Sequence, residues 1–154
     1  MATTTGTLIV YDSYKREMQN KNVKLLATVD TFICGLSTSS YVPNRSTHED
    51  LADITNEVTG NGYARQTLVS PLQTEPVAGT WRFDSDDPVF TASGGSIVAR
   101  FWWVFNDTST TPLDLLCFYG LLDNSPADVT TTDTNTLTLQ VNASGFTELS
   151  GGET

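Results

Sequence analysis

A mainly β fold, an antiparallel sandwich or barrel-like arrangement with one or two short helices packed at an edge, is the architecture this sequence predicts. Three observations predict it. From Tyr63 onward the apolar residues recur with a period of two rather than 3.6. Residues 97–106 are dense in β-branched and aromatic side chains, the composition of a central strand. The connections are built of Gly, Thr and Asp, with no fixed-period repeat and no linker long enough to divide the chain, so the 154 residues form a single domain over one core.

Taken in order, residues 7–11 are a short apolar run that reads as a strand, and residues 1–11 together read as an extended N-terminal arm able to reach a neighbouring subunit. Asp12 follows as an N-cap for a helix over residues 13–20, which sets Tyr14 and Met18 on one face and Lys15 and Arg16 off it. Residues 23–27 extend that helix or open a strand. Residues 31–38, apolar between polar flanks, predict a buried strand. Ser46 and Glu49 have the spacing of a capping box and predict a helix over residues 46–58, whose Leu51, Ile54 and Val58 make one apolar stripe before Gly60 and Gly62 end it.

Residues 65–72 read as a strand broken by Pro71, which has no ladder donor to offer. In residues 80–84, Trp81 and Phe83 alternate with polar neighbours, which places both rings in the core. A turn over 84–88, a brief extended piece over 89–92 and a flexible connection over 93–96 lead into the strand at 97–106. Alternation there sets Ile97, Ala99, Phe101, Trp103 and Phe105 toward the core and Val98, Arg100, Trp102 and Val104 outward. A hairpin loop over 106–112, a return strand over 113–122 and a loop over 123–134 come next. Residues 135–142 alternate with Leu137, Leu139 and Val141 inward; Phe146 and Leu149 mark a last short strand, and 150–154 a flexible tail.

Eight Lys and Arg against eighteen Asp and Glu leave a formal charge of −10. Phosphate binding needs a cationic face, so this balance argues against nucleic acid as a partner. Lys15, Arg16, Lys21 and Lys24 make the first quarter locally basic, which is either a solvated helix face or a seat for an acidic neighbour. No apolar run approaches the roughly eighteen residues of a membrane span, and the first residues lack the plan of a secretion signal. The expectation is a soluble protein made in a cytoplasm, with no membrane partner. Cys34 and Cys117 lie inside apolar runs, which suits buried, reduced thiols, although the sequence alone leaves a disulfide between them open.

Candidate chemistry is sparse. His48 is the one histidine, flanked by Glu49 and Asp50, and in a first helical turn those acids serve the helix dipole rather than catalysis. Asp84, Asp86 and Asp87 are oxygen donors of the type calcium takes, but the cluster has neither the glycine nor the distal glutamate of a calcium loop, and a surface turn closed by Pro88 is the plainer reading. Neither a nucleophile elbow nor paired metal-ligand spacing occurs, so no enzyme activity, cofactor or metal is expected. Trp102 and Arg100, sharing the outward face of their strand, are the candidate protein-contact residues, since Trp and Arg are enriched at the energetic centre of interfaces. Ile9 and Tyr11 of the arm complete that candidate interface. An exposed Trp102 beside the three aspartates would also suit stacking on a sugar ring.

One stretch carries more than local geometry. Tyr41 and Pro43, then His48, Leu51, Asp53, Ile54, Asn56, Glu57, Val58, Gly60, Gly62 and Tyr63 spell Tyr-x-Pro followed by His-x-x-Leu-x-Asp-Ile-x-Asn-Glu-Val-x-Gly-x-Gly-Tyr. This pattern resembles a group of small virion structural proteins of tailed bacteriophages, and the aromatic strand running into Asp107, Thr108 and Ser109 fits the same group. The resemblance implies a non-enzymatic subunit of the particle. A capsid decoration or cement protein bridging capsomers is its first form, with the major capsid protein or other virion proteins as partners and a homotrimer as the assembly. A tail or head-fibre adaptor, or a host-contact module that binds carbohydrate, is its second.

Overall fold

A computed structural model gives the structure of residues 2–4, 7–20, 22, 23, 30–69, 72–78, 80–141 and 145–150. In chain order the elements are β1 (Ala2–Thr4), β2 (Ile9–Val10), α1 (Asp12–Gln19), β3 (Phe32–Ser37), a single 3-10 turn (Leu51–Asp53), β4 (Gln66–Thr67), β5 (Leu72–Val77), β6 (Thr80–Asp84), β7 (Val89–Thr91), β8 (Ile97–Ala99), β9 (Phe101–Thr110), β10 (Leu113–Leu121), β11 (Val129–Thr131), β12 (Thr136–Gln140) and β13 (Thr147–Ser150). Among the described residues they form four open sheets, ordered β2-β10-β9-β3-β4, β1-β12-β7, β13-β6-β5 and β11-β8. Every strand pair is antiparallel except β1 with β12. The architecture is the mainly β, sandwich-like one that the period of two predicts.

The aromatic run builds the centre. β9 pairs with β10 on one side and β3 on the other, and its alternation sends Trp102, Val104 and Asn106 to one face and Trp103 and Phe105 to the opposite one. Both faces are buried. Phe83 of β6 and Phe146, just before β13, cover the first face, stacking on Phe118 and Trp102. The segment between β3 and β4 covers the second. Trp102 is therefore only 2% exposed, and the expectation that it looks outward with Arg100 is corrected. The expected single strand over 97–106 breaks at Arg100, whose neighbours pair in two different sheets, and of the supposed outward set only Val98 is exposed.

Two indoles side by side on one strand need flat space on the neighbouring strands. Trp103 stands directly across from Gly35 on β3, and Trp102 directly across from Gly120 on β10. A Cβ on Gly35 would lie 2.2 Å from Trp103 Cη2, and one on Gly120 would lie 2.8 Å from Trp102 Nε1. Each glycine is the floor on which a ring lies. Trp103 is also tethered, its Nε1 donating to Ser37 Oγ at 2.9 Å.

Several local expectations are revised. The first helix begins at Asp12 itself, with Tyr11 at the N-cap making no side-chain cap bond and Asp12 in the first turn paired to Lys15. No α-helix forms over 46–58; only the 3-10 turn Leu51–Asp53 is helical there. Asn44 Oδ1 accepts from the backbone N–H of Ser46 and Thr47, so a turn takes the place of the Ser46 cap. The capping box that forms is Asp50 with Asp53, and it supports only the 3-10 turn. Leu51, Ile54 and Val58 still pack on the core, Leu51 from the 3-10 turn and the other two from the chain beyond it. Trp81 was assigned to the core by alternation with Phe83, yet it is 48% exposed while Phe83 is buried. Strands β5 and β11 were not expected; β5 contains Pro76 at an irregularity on a sheet edge, where a missing donor does no harm. Residues 24–27, Pro71 and 151–154 lie outside the described residues, as do Lys21 and Lys24.

Replacing Gly35 by Ala drives a methyl group into a tethered indole. Gly35→Ala is expected to cost about 1–3 kcal/mol, the usual range for overpacking, read as a lower urea midpoint at unchanged slope. Gly120→Ala behaves likewise, whereas Gly60→Ala shows no such clash because nothing lies within 4 Å of its Cβ position and only its backbone conformation, φ +74°, is strained.

Candidate functional site

The residues of the resemblance occupy one continuous strap, from Tyr41 to Arg65, across the Trp103 face of the central sheet. Its second half contains four left-handed positions within seven residues: Asn56 (φ 53°), Gly60 (74°), Asn61 (51°) and Gly62 (76°). Gly and Asn are the residues that adopt this conformation at low cost. The Asn-Glu-Val-x-Gly-x-Gly pattern is thus the chemistry of a double reversal. At Gly62 a side chain is excluded sterically as well, since its Cβ would lie 2.9 Å from the Ser93 backbone nitrogen.

The reversal closes the outer edge of β3. Asn56 O accepts from Thr38 N at 2.9 Å, Val58 N donates to Leu36 O at 3.0 Å, and Leu68 N beyond β4 donates to Phe32 O at 2.8 Å. Between these pairings Leu36 N faces no strand. It donates instead to the Tyr63 hydroxyl at 2.9 Å, which in turn donates to Glu57 Oε1 at 2.9 Å. Arg65 grips the same carboxylate with two donors, Nε at 2.8 Å and Nη2 at 2.6 Å. Its guanidinium lies 5.4 Å from the Trp103 ring centroid and 5.7 Å from that of Phe105, capping the aromatic layer. Burial holds the Tyr63 phenol far above its ordinary pKa, so it stays a donor to Glu57. Strap and core share Ser37, whose Oγ accepts from Trp103 and donates to Thr55 O at 3.3 Å.

The first half of the strap is pinned by a chain of hydroxyls. The Tyr41 hydroxyl lies 2.9 Å from the Tyr11 hydroxyl and 3.1 Å from His48 Nδ1, and both phenol rings are fully buried. Desolvation pushes the Tyr41 phenol up to about 12. Asp12, at the start of α1, accepts from Lys15 and Ser46 and pairs with Arg45, and the Lys15 contact leads the interactions that hold its carboxyl below the usual range. Asp53 accepts from the backbone N–H of Glu49 and Asp50. His48 is held by the strap itself: its Nδ1 meets the Tyr41 hydroxyl, and its ring packs on Tyr41.

The expected interface residues form no exposed patch. Tyr11 is buried under Tyr41 and Tyr119, Trp102 is buried, Ile9 is half-buried in β2, and Arg100 is half-buried with its Nε on Asp128 at 2.8 Å. The carbohydrate role drawn for Trp102 fails for the same reason, and the exposed indole is Trp81. The alternation rule gave its face correctly but not where the core ends. In the aspartate turn, Asp84 accepts from Ser85 N and Asp87 from Val141 N, and no cluster among the described residues has the makings of a metal site. Cys34 and Cys117 are free and buried, with desolvation raising both thiols.

Charge is distributed unevenly. Lys15, Arg16, Arg45, Arg65, Arg82 and Arg100, which are all the cations among the described residues, sit in ion pairs. The basic helix face expected from Lys15 and Arg16 is thereby neutralised by Asp12, Glu17 and Glu49. At the β9–β10 hairpin, Asp114 occupies a left-handed position (φ 52°), and desolvation, then Asp107, raises its carboxyl pKa. No described helix is long and apolar enough to cross a membrane. No family model, curated protein or solved structure matches the chain.

Glu57→Gln keeps the side-chain shape but removes the charge shared by Tyr63 and Arg65. The expected loss is about 1–2 kcal/mol, the range for a charge-assisted bond discounted for partial exposure, measured by urea denaturation. Asp114→Asn tests the hairpin. A carboxyl whose folded pKa is raised opposes folding when ionised, so the variant is expected to melt higher than the parent at neutral pH. The gain closes as pH falls through the carboxylate range and the parent is protonated; melting curves across that range check the sign.

Proposed function

We propose that this protein is a non-enzymatic structural subunit of a bacteriophage virion, a capsid decoration or cement protein that binds across capsomers as a homo-oligomer. The observation that carries the reading is the work done by the resemblance residues. Tyr41, His48, Asp53, Asn56, Glu57, Gly60, Gly62 and Tyr63 spend their polar atoms and special conformations on tying the strap to the central sheet. A pattern devoted to holding a scaffold suits a part whose task is to be rigid and present in many copies. The charge pattern agrees with it: the described cations are all paired within the chain and the formal charge is −10, which favours a basic or neutral shell and disfavours packaged nucleic acid.

A second reading, a tail or head-fibre module contacting the host, draws on the half-exposed Trp81, an aromatic of the type that stacks on sugars or anchors protein contacts. Immunogold labelling of intact particles separates the two. Label scattered over the head is the expected result; label confined to one vertex selects the second reading, and failure to copurify with particles overturns both.

A further inference from the structure

We propose that β1 is an exchangeable strand, so that in assemblies residues 2–4 of one copy occupy the β12 edge of a neighbouring copy in the register they hold within a single chain. That register is parallel and short: Ala2 with Thr138, Thr3 with Leu139 and Thr4 with Gln140. Its two partners differ greatly in how firmly they are held. β12 is fixed without β1, through fully buried Leu137 and Leu139, antiparallel pairing with β7, and bonds from Leu139 N to Pro88 O and from Val141 N to Asp87 Oδ1. β1 is three residues long, one alanine and two threonines, in the parallel pairing that is weaker per residue. The chain then moves to another sheet, since β2 pairs with β10.

A weakly held strand on a preformed edge is the arrangement in which exchange is cheap. Swapping conserves every backbone bond of the pair, so local concentration decides which copy supplies the strand. The inference deepens the proposed role and rests on it for its setting: neighbours held side by side on a shell have effective concentrations in the millimolar range, and passing β1 around a threefold ring leaves no edge unfilled.

The test uses purified protein and is independent of particles. Thr4 and Gln140 are paired positions, within reach of a disulfide, and Gln140 is exposed. The native cysteines are both buried. A Thr4→Cys variant is mixed with a Gln140→Cys variant at millimolar concentration and oxidised, and a Thr4→Cys mixture with Gln19→Cys, exposed on α1, serves as control. Exchange predicts a disulfide-linked heterodimer at a yield on the order of tenfold above the control. Equal yields overturn the proposal. So does a result in which the double variant Thr4→Cys/Gln140→Cys closes within single chains while the mixed single variants stay unlinked. Either negative leaves the particle-labelling result untouched.

Discussion

The outer edge of β3 is completed by a side chain, and much of the molecule is arranged around that substitution. An unpaired edge amide is costly when buried and a template for aggregation when exposed. Here Leu36 N is met by the Tyr63 phenol, which needs Glu57 as its own acceptor, which in turn holds Arg65 over the Trp103 and Phe105 rings. Ser37 links the same edge to the core by joining Trp103 to Thr55. Edge closure, the lid on the aromatic layer and the placement of Trp103 over Gly35 are therefore one coupled system, in which the loss of a member is felt by the others.

Much of this was legible in the residues, and the failures have physical causes. The strands at Phe32–Ser37, Thr80–Asp84, Leu113–Leu121 and Thr136–Gln140 were readable because each pairs strong apolar content with polar boundaries. The helix expected over 46–58 failed because side chains nearby offered the backbone better local partners: Asn44 captured the Ser46 and Thr47 amides, and Asn56 turned left-handed to start the edge pairing. Alternation divided Trp102 from Trp103 correctly, but periodicity reports sides, not burial, and both sides of β9 are covered. The small residues opposite each indole, Gly35 and Gly120, were the available signal for that double burial. Trp81 failed in the opposite sense: it alternates in step with buried Phe83 yet is half-exposed.

The same reasoning accounts for the side chains that make the resemblance pattern conspicuous. Histidine, acids, tyrosines and glycines gathered in about twenty-five residues have the composition of an active site, and their partners are backbone amides, phenols, arginines and one another. Polar groups so engaged rigidify a thin layer that a small β protein could not otherwise hold against its sheet. Left-handed Asn and Gly positions do the turning, and the carboxylates do the fastening. The described cations are all used in pairs within the chain, whose formal charge is −10.

Native-state hydrogen exchange at the Leu36 amide, compared between the parent and Tyr63→Phe, tests edge closure most directly. The account predicts a protected amide in the parent and selective acceleration in the variant, with the amides of Cys34 and Val104 little changed. Equal protection of Leu36 in both proteins would contradict it.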